Sequence, residues 1–204
     1  MNPCNWPRLV AIEGPSGCGK SSLIPELEAK LVRQGICAKG VSNSDLLRWS
    51  DLIRGLARTP EMALTLAYAT AGARADLRES HGEDTLLLCD RYVLSSLVYQ
   101  RFAGVPLELL YKLNSPLVEN TITFSLLVDL DELERRRAQR QRPPSDWFKE
   151  TLTAADEIRL YAEAVSHFET FGSPLTIINA AGPPSEIADT ILSKVSTWVA
   201  GAGG

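Results

Sequence analysis

The chain has 204 residues, of which 45% are hydrophobic and 23% charged, and its formal net charge at pH 7 is −4. A chain of this length and composition can bury a sufficient core, which excludes an intrinsically disordered protein. The slightly acidic balance gives no general basic field for binding a nucleic acid polymer.

Short apolar runs alternate with longer stretches of helical periodicity along the first half of the chain. The continuous apolar run at 9–12 is typical of a strand buried on both faces, and Gly35 is expected to end the helix that follows. Thr59 and Pro60 form a helix start, with a capping hydroxyl before a proline at the first helical position. The predicted elements here are a strand at 9–12, a helix at 20–34, a strand at 37–41, a helix from Ser44-Asp45 to about 57, a helix from 59 to about 80 and a strand at 85–89.

The same alternation continues in the second half, apart from one proline-rich break at 142–145. The predicted elements are helices at 93–102 and 107–113, a strand at 124–128, a charged helix at 131–141, a helix at 153–171, a strand at 175–178 and a helix at 185–199. The tail at 201–204 is expected to fray. Alternating strands and helices predict an α/β fold, a parallel sheet between helical layers, in a single domain that covers 1–204.

Residues 14–21 (GPSGCGKS) match the phosphate-binding pattern Gly-x-x-x-x-Gly-Lys-Ser/Thr in full. The motif lies between a predicted strand and a predicted helix, which is the context it requires. Backbone N–H groups of such a loop surround phosphate oxygens, Lys20 would reach the β and γ phosphates of ATP, and the Ser21 hydroxyl would bind Mg²⁺. The candidate ATP-binding residues of this loop are Gly14, Pro15, Ser16, Gly17, Cys18, Gly19, Lys20, Ser21 and Ser22.

Asp90 and Arg91 stand directly after the predicted strand at 85–89. Ligands bind at the carboxyl ends of strands in open α/β sheets. Asp90 could therefore join Ser21 around Mg²⁺ or accept a proton, and Lys20, Asp90 and Arg91 are candidate catalytic residues. The alternative is that Asp90 only caps the following helix.

A cluster of arginines precedes the proline-rich break, at positions 135, 136, 137, 140 and 142. At helical spacing some of them would pair with Glu132 and Glu134 and face solvent. The others would lie on a mobile lid at about 135–152. Arginines on a lid suit phosphoryl transfer, because charge spreads over the oxygens of the transferred group.

Segment 90–100 (DRYVLSSLVYQ) resembles the DRY-xx-SS-xx-YQ signature of the thymidylate kinase family almost residue for residue. Segment 10–22 (VAIEGPSGCGKSS) is similar to that family's opening strand and phosphate loop. Three shorter segments are similar to its helices and last strand: AGARA at 71–75, EIRLY at 157–161 and IINA at 177–180. The resemblance spans nearly the whole chain, and 90–100 is its most specific part.

The resemblance implies a P-loop kinase: a three-layer sandwich with strand order 2-3-1-4-5 that transfers the ATP γ-phosphate to a nucleoside monophosphate, usually as a homodimer. Arg91 would lie between the phosphates of donor and acceptor. The lid arginines, Arg136 and catalytic Arg140, would close on ATP near Asn179 and Ala180. The implied acceptor-binding residues are Ser16, Arg54, Thr70, Arg74, Ser96, Tyr99 and Gln100, with Tyr99 disfavouring a ribose hydroxyl at carbon 2.

The acceptor side departs from the family pattern at several positions. Ser16 stands where the family usually carries an acid that meets the acceptor's 3′-hydroxyl, and Thr70 stands where an aromatic ring stacks on thymine. The arginine-bearing segment after the second strand is missing, so Arg48 or Arg54 would replace its arginine. We therefore expect dTMP itself to be a weak substrate and an acceptor with an added group on base or sugar to be a better one.

The sequence thus predicts an ATP-dependent and Mg²⁺-dependent kinase of a pyrimidine deoxynucleoside monophosphate, either dTMP or a modified analogue. Tyr68 or Trp49 could supply the missing ring. One alternative is a P-loop kinase for a nucleoside or another small specialised metabolite. A second alternative is an ATPase switch without a small acceptor.

The expected partner is a small phosphate acceptor in the cytoplasm rather than a membrane or a nucleic acid polymer. No apolar run reaches the roughly 18 residues of a membrane span. Residues 1–8 lack the features of a signal peptide. The four cysteines include no Cys-x-x-Cys pair, which favours a reducing compartment over a disulfide scaffold or a zinc site.

Overall fold

A parallel β-sheet forms the centre of the fold. In the computed structural model, which describes residues 9–42, 49–81, 85–139, 147–168, 172 and 174–201, the described strands form a five-stranded sheet in the order β2-β3-β1-β4-β5. The strands are β1 (Leu9–Glu13), β2 (Ala38–Val41), β3 (Leu86–Asp90), β4 (Thr121–Leu127) and β5 (Leu175–Asn179). The all-parallel sheet and the strand order that the resemblance implied are confirmed.

Helices cover both faces of the sheet. They are α1 (Lys20–Arg33), α2 (Ser50–Leu56), α3 (Ala63–Ser80), α4 (Val93–Phe102), α5 (Leu107–Asn114), α6 (Leu130–Ala138), α7 (Trp147–Thr151), α8 (Ala154–Phe168) and α9 (Pro184–Gly201). Within these ranges no helix combines the length and the apolar character that crossing a membrane demands.

The central strand β1 divides the core into two parts. Leu9 and Ala11 point into one cluster of buried side chains, which includes residues of α3, α4 and α8. Val10 and Ile12 point into the other, which includes residues of α1 and α9. Successive residues of a strand face opposite sides of a sheet, so a strand between two helical layers is apolar at nearly every position. This arrangement confirms the three-layer sandwich.

The element boundaries differ from the sequence expectation at several places. Strand β4 begins at Thr121 rather than 124, because 121–123 pair with the buried strand β1. Helix α6 begins at Leu130 rather than 131, since the Asp129 side chain accepts a hydrogen bond from the Glu132 N–H and caps the helix. It ends at Ala138, and α8 begins at Ala154, whereas the predicted end of that helix at 171 lies outside the described residues.

Two local expectations were wrong. Thr59 makes no capping hydrogen bond with its side chain, and the chain enters α3 through a single 3₁₀ turn at Pro60–Met62. The short helix α7 was not predicted, because five residues next to a proline-rich break carry no usable periodicity. The predicted helix start at Ser44-Asp45 and the arginines at 140 and 142 lie outside the described residues.

Candidate active site

The phosphate-binding motif forms a tight loop between β1 and α1. Gly14, Gly17 and Gly19 have φ angles of 138°, 103° and 110°, which only glycine adopts readily. A Cβ atom at Gly14 would lie 2.7 Å from the Leu126 carbonyl oxygen of β4. The loop therefore needs its glycines both for backbone conformation and for close packing on the sheet.

Lys20, the first residue of α1, is nearly buried beneath this loop, with 5% of its surface exposed. Its ammonium group donates to the carbonyl oxygens of Gly14 (2.8 Å) and Pro15 (2.9 Å). Burial, together with the nearby positive charge of Arg91, lowers its pKa below the ordinary lysine value. Phosphate oxygens are stronger acceptors for an ammonium group than carbonyl oxygens, so these hydrogen bonds can be exchanged for contacts with a nucleotide.

Ser21 and Asp90 meet above the carboxyl end of β3. The Ser21 hydroxyl donates to Asp90 Oδ2 at 3.3 Å. The other carboxylate oxygen, Asp90 Oδ1, is buried and has no hydrogen-bond partner among the described residues. A hydroxyl beside an unsatisfied carboxylate oxygen is a donor set that suits Mg²⁺, which prefers oxygen ligands and binds proteins through one or two carboxylates.

A wide cleft of about 650 Å³ opens above the phosphate loop. Its lining includes the loop and start of α1 (residues 16–23), Asp90, Arg91, Leu126, Arg135, Arg136, Gln139, Gly182, Pro184 and Ile187. Arg136 spans this cleft by donating to the carbonyl oxygens of Cys18 (2.8 Å) and Ala180 (3.0 Å). Asn179 and Ala180 do not line the cleft; Ala180 is buried, and the wall at this end is formed by Gly182, Pro184 and Ile187 instead. The side chain of Cys18 is 1% exposed and packs in the core.

A second, narrower cavity of about 100 Å³ lies on the other side of Asp90 and Arg91. Two side-chain hydrogen bonds join α3 to α4 along its wall: Arg74 donates to Ser96 (2.7 Å), and the Gln100 amide nitrogen donates to Thr70 (2.9 Å). Each pair is one helical turn from the other on both helices. Tyr99 lines the same cavity, so these five predicted acceptor residues are brought together.

Arg91 connects the two cavities, since it lines both. Its φ of 72° is a conformation that non-glycine residues rarely adopt, at a cost of about 1–3 kcal/mol. One guanidinium nitrogen, Nη1, donates to the hydroxyls of Tyr99 (2.8 Å) and Tyr161 (2.7 Å). The Nε and Nη2 groups have no acceptor among the described residues, which leaves them available to anionic oxygens in either cavity.

Other predicted site residues lie elsewhere. Arg54 is exposed on α2, where it pairs with Asp51 at 2.9 Å, and it lines neither cavity. Tyr68 is 52% exposed, and Trp49 packs over Gly72, so neither supplies a ring to the acceptor cavity. The ring in that wall belongs to Phe148 of α7, which stacks on Tyr99 with ring centroids 5.0 Å apart. Arg140 lies outside the described residues.

Sequence reasoning missed two buried glutamates beside the site. Glu13 is fully buried and caps α4, accepting hydrogen bonds from the backbone N–H groups of Tyr92 (2.7 Å) and Ser95 (3.1 Å). Glu157 is equally buried and accepts a hydrogen bond from the backbone N–H of Ser16 at 2.5 Å. The available signal was a carboxylate directly after the apolar run at 9–12 and another on the apolar face of α8, since a charged side chain at a buried position almost always has a partner.

These features define a class of protein. A complete phosphate-binding loop lines one cavity, and a second cavity lies on the other side of Asp90 and Arg91. Arg91, with its strained backbone at the carboxyl edge of the sheet, lines both. Phosphoryl transfer requires such positioning and positive charge rather than covalent catalysis. The fold and site are those of a P-loop kinase.

Comparison with known proteins narrows this class to a family. The family model for thymidylate kinase matches residues 12–191, and the chain belongs to the thymidylate kinase family of ATP-dependent nucleotide kinases. Thymidylate kinase of Geobacillus thermodenitrificans is 29% identical, with 91% of this chain and 89% of that protein covered. A probable thymidylate kinase of Pyrobaculum calidifontis is 28% identical, with 94% and 97% covered.

Proposed function

We propose that the protein transfers the γ-phosphate of ATP to a deoxynucleoside monophosphate whose base is a 2,4-dioxopyrimidine, either dTMP or an analogue substituted on that base or sugar. The observation that carries the proposal is the Gln100 side-chain oxygen, which is buried at the acceptor cavity and has no hydrogen-bond partner among the described residues. Such an oxygen requires a donor from the ligand. The N3–H group of thymine or uracil is a donor of that kind.

The orientation of the Gln100 amide follows from its neighbour. The Thr70 hydroxyl donates its proton to the carbonyl oxygen of Leu66 (2.9 Å) or Ala67 (3.1 Å). It can therefore only accept from Gln100, which fixes the amide nitrogen toward Thr70 and the oxygen toward the cavity. Cytosine has an unprotonated N3, whose lone pair would oppose that oxygen.

Arg74 complements this acceptor with donors. Three of its N–H groups are bonded to Ser96, Asn114 (2.8 Å) and the Tyr92 carbonyl oxygen (2.6 Å). The other two have no acceptor among the described residues and can donate to a base carbonyl. The Gln100 oxygen is an acceptor for the N3–H group of a dioxopyrimidine, and an Arg74 N–H group is a donor for the carbonyl oxygen next to it.

The reaction that follows needs no protein base. A phosphate oxygen of the acceptor attacks the γ-phosphorus, the bond from that phosphorus to the bridging β–γ oxygen breaks, and ADP leaves with the electron pair. Lys20 and Arg91 neutralise the phosphate oxygens in the two cavities. Ser21 and Asp90 would hold Mg²⁺, which supplies further charge neutralisation.

The test is steady-state kinetics at saturating ATP and Mg²⁺ with dTMP, dUMP, dCMP, UMP and 5-substituted deoxyuridine monophosphates. We expect the dioxopyrimidine deoxynucleotides to exceed dCMP in kcat/KM by about tenfold to a hundredfold, the range for one buried hydrogen bond made or lost. UMP should be weaker than dUMP because the Tyr99 ring lines the cavity.

Four results would contradict this proposal or part of it. Preference for dCMP would refute the base assignment, and stimulation only by nucleosides or other metabolites would establish a different kinase. Acceptor-independent ATP hydrolysis would establish an ATPase switch. A dTMP kcat/KM of about 10⁵ M⁻¹s⁻¹ or more, as in efficient enzymes, would refute the expectation that Ser16 and Thr70 weaken dTMP.

We also propose that the enzyme works in the cytoplasm, where its nucleotide substrates are found, and as a homodimer. Exposed apolar side chains on α2 and α3 support the dimer: Leu52 and Leu64 are each 48% exposed and Tyr68 is 52% exposed. Leu64→Glu should convert the dimer to a monomer in analytical ultracentrifugation, because a buried interface does not accept an unpaired charge. Val32→Glu, on exposed α1, is the control; a wild-type monomer, or a Leu64→Glu dimer, would refute this surface.

A further inference from the structure

Two buried carboxylates lie on either side of Arg91, and each is linked to it by hydrogen bonds through a tyrosine. Tyr99 and Tyr161 both accept hydrogen bonds from Arg91 Nη1. Tyr99 is hydrogen-bonded in turn to Glu157, and Tyr161 is linked to Glu13 through Ser95. Both glutamates are fully buried. The Arg91 side chain, which lines both cavities, is therefore held by two tyrosine hydroxyl groups, and each of these is linked to a buried carboxylate.

The direction of each hydrogen bond is fixed. The Tyr99 hydroxyl donates to Glu157 Oε2 at 3.0 Å, so its lone pairs face Arg91. Ser95 donates its own proton to Glu13 Oε2 at 2.5 Å, and it therefore accepts from Tyr161 at 3.0 Å. Burial raises the pKa of both phenols well above the ordinary tyrosine value, so both keep the proton that they donate.

Glu157 has two further partners, and both belong to the ATP side. The Ser16 N–H donates to Oε2 at 2.5 Å. Arg137 of α6 forms an ion pair with Oε1 at 2.9 Å and also donates from Nε to the Ser16 carbonyl oxygen at 2.8 Å. One carboxylate thus contacts the phosphate loop, the wall of the acceptor cavity and an arginine of α6.

We propose that Glu157 is a positioning residue for phosphoryl transfer, which orients Arg91 through Tyr99 and holds Arg137 on the phosphate loop. This inference rests on the proposed function, since positioning matters only if phosphate passes between the two cavities. Glu157 lines neither cavity, and so acts through the side chains that it orients.

A purely structural role would give a different signature. The face of α8 that carries Glu157 is apolar, with Leu160, Tyr161 and Ala164 buried beside it. A buried ion pair stabilises a fold no better, as a rule, than apolar side chains of similar volume. A structural carboxylate would affect the melting temperature, whereas a positioning one affects kcat at nearly unchanged affinity for both substrates.

The first test compares Glu157→Gln with Glu163→Gln. Glu163 is the matched control, because it lies on the same helix and pairs with Arg101 and Arg159, but its side chain is 40% exposed. We expect Glu157→Gln to lower kcat by about thirtyfold or more and to change both KM values by less than about threefold. The control should stay within about twofold of wild type.

Double variants keep the test decisive. Should Glu157→Gln fail to fold because Arg137 loses its partner, Glu157→Gln/Arg137→Gln removes both charges and should still show the kcat loss. The kcat loss of Glu157→Gln/Tyr99→Phe should be smaller than the product of the two single losses by about threefold or more. The reason is that both substitutions break the same chain of hydrogen bonds, which runs from Glu157 through Tyr99 to Arg91. Wild-type kcat in Glu157→Gln, or strictly multiplicative effects, would overturn the proposal.

A measurement without any acceptor separates this proposal from the proposed function. In ¹⁵N-edited spectra of arginine side chains, the guanidinium group of Arg91, assigned with Arg91→Lys, should rotate slowly in wild type and at least about tenfold faster in Glu157→Gln. An unchanged rotation rate would overturn the positioning role. If no acceptor in the kinetic panel were phosphorylated, the proposed function would be refuted, and the rotation rate would still test whether Glu157 orients Arg91.

Discussion

Replacing Lys20 with alanine is expected to lower kcat by about three orders of magnitude, which corresponds to about 4 kcal/mol of transition-state stabilisation. The Lys20 ammonium group lies beneath the phosphate loop and donates to the carbonyl oxygens of Gly14 and Pro15 and to the Cys18 sulfur. When it turns to the phosphates, it neutralises charge that grows on the oxygens during transfer. A coupled assay of ADP release at saturating acceptor measures the loss.

The fold should survive this change, since Lys20 itself lines the cleft and water can take the place of its ammonium group. We expect the melting temperature to fall by less than about 4 °C, the shift for about 1 kcal/mol in a chain of this size. Lys194→Ala, on the exposed face of α9, serves as the control. A Lys20→Ala enzyme that kept more than a tenth of wild-type kcat would refute the assigned role of the loop lysine.

Arg91→Ala should lower kcat by about two to three orders of magnitude, because it removes the one described cation that lines both cavities. Arg91→Lys should recover less than about a tenth of the kcat that Arg91→Ala loses. Lysine offers a point charge and cannot donate to Tyr99 and Tyr161 while presenting a second edge to phosphate, as the planar guanidinium group does. The kinetic readout is kcat for each variant, with KM for both substrates determined separately.

The control for Arg91 is Arg101→Ala. Arg101 lies on α4 and its side chain is 35% exposed in an ion pair with Glu163 at 3.5 Å, so its removal should change kcat by less than about twofold. Alanine carries a Cβ atom as arginine does, so the substitution does not relieve the strain of the φ of 72° at this position. If Arg91→Ala had the same kcat as wild type, Arg91 would have no role in catalysis and would be a structural residue.

The ATP side of the site could be predicted because its chemistry is local. Residues 14–21 adopt their loop from the conformational freedom of three glycines and the start of α1, and all of that information is contiguous in the chain. The strand order and the three-layer arrangement followed from the resemblance, and the complete burial of β1 agrees with its apolar run at 9–12. Asp90 and Arg91 followed from their place after a buried strand.

The acceptor side could be predicted only in part. Arg74, Ser96 and Gln100 were expected in the site, and they line one cavity. Arg54, chosen to replace a missing arginine, turned out to pair with Asp51 in solvent. The aromatic ring came from Phe148, far along the chain from Thr70, because α7 packs on Tyr99. Helical periodicity indicates which face of a helix is buried, but not which distant segment covers it.

The sequence by itself therefore determined the phosphate loop, the alternation of strands and helices, and the family. These depend on short-range conformational preferences and on residues that act as contiguous motifs. Only the tertiary structure decided which way the Gln100 amide faces, where the cavity finds its ring, and that Glu157 meets Ser16, Tyr99 and Arg137. Those contacts join residues up to 141 positions apart, and their geometry exists only after the helices have packed on the sheet, since burial is what makes each unsatisfied polar atom require a partner.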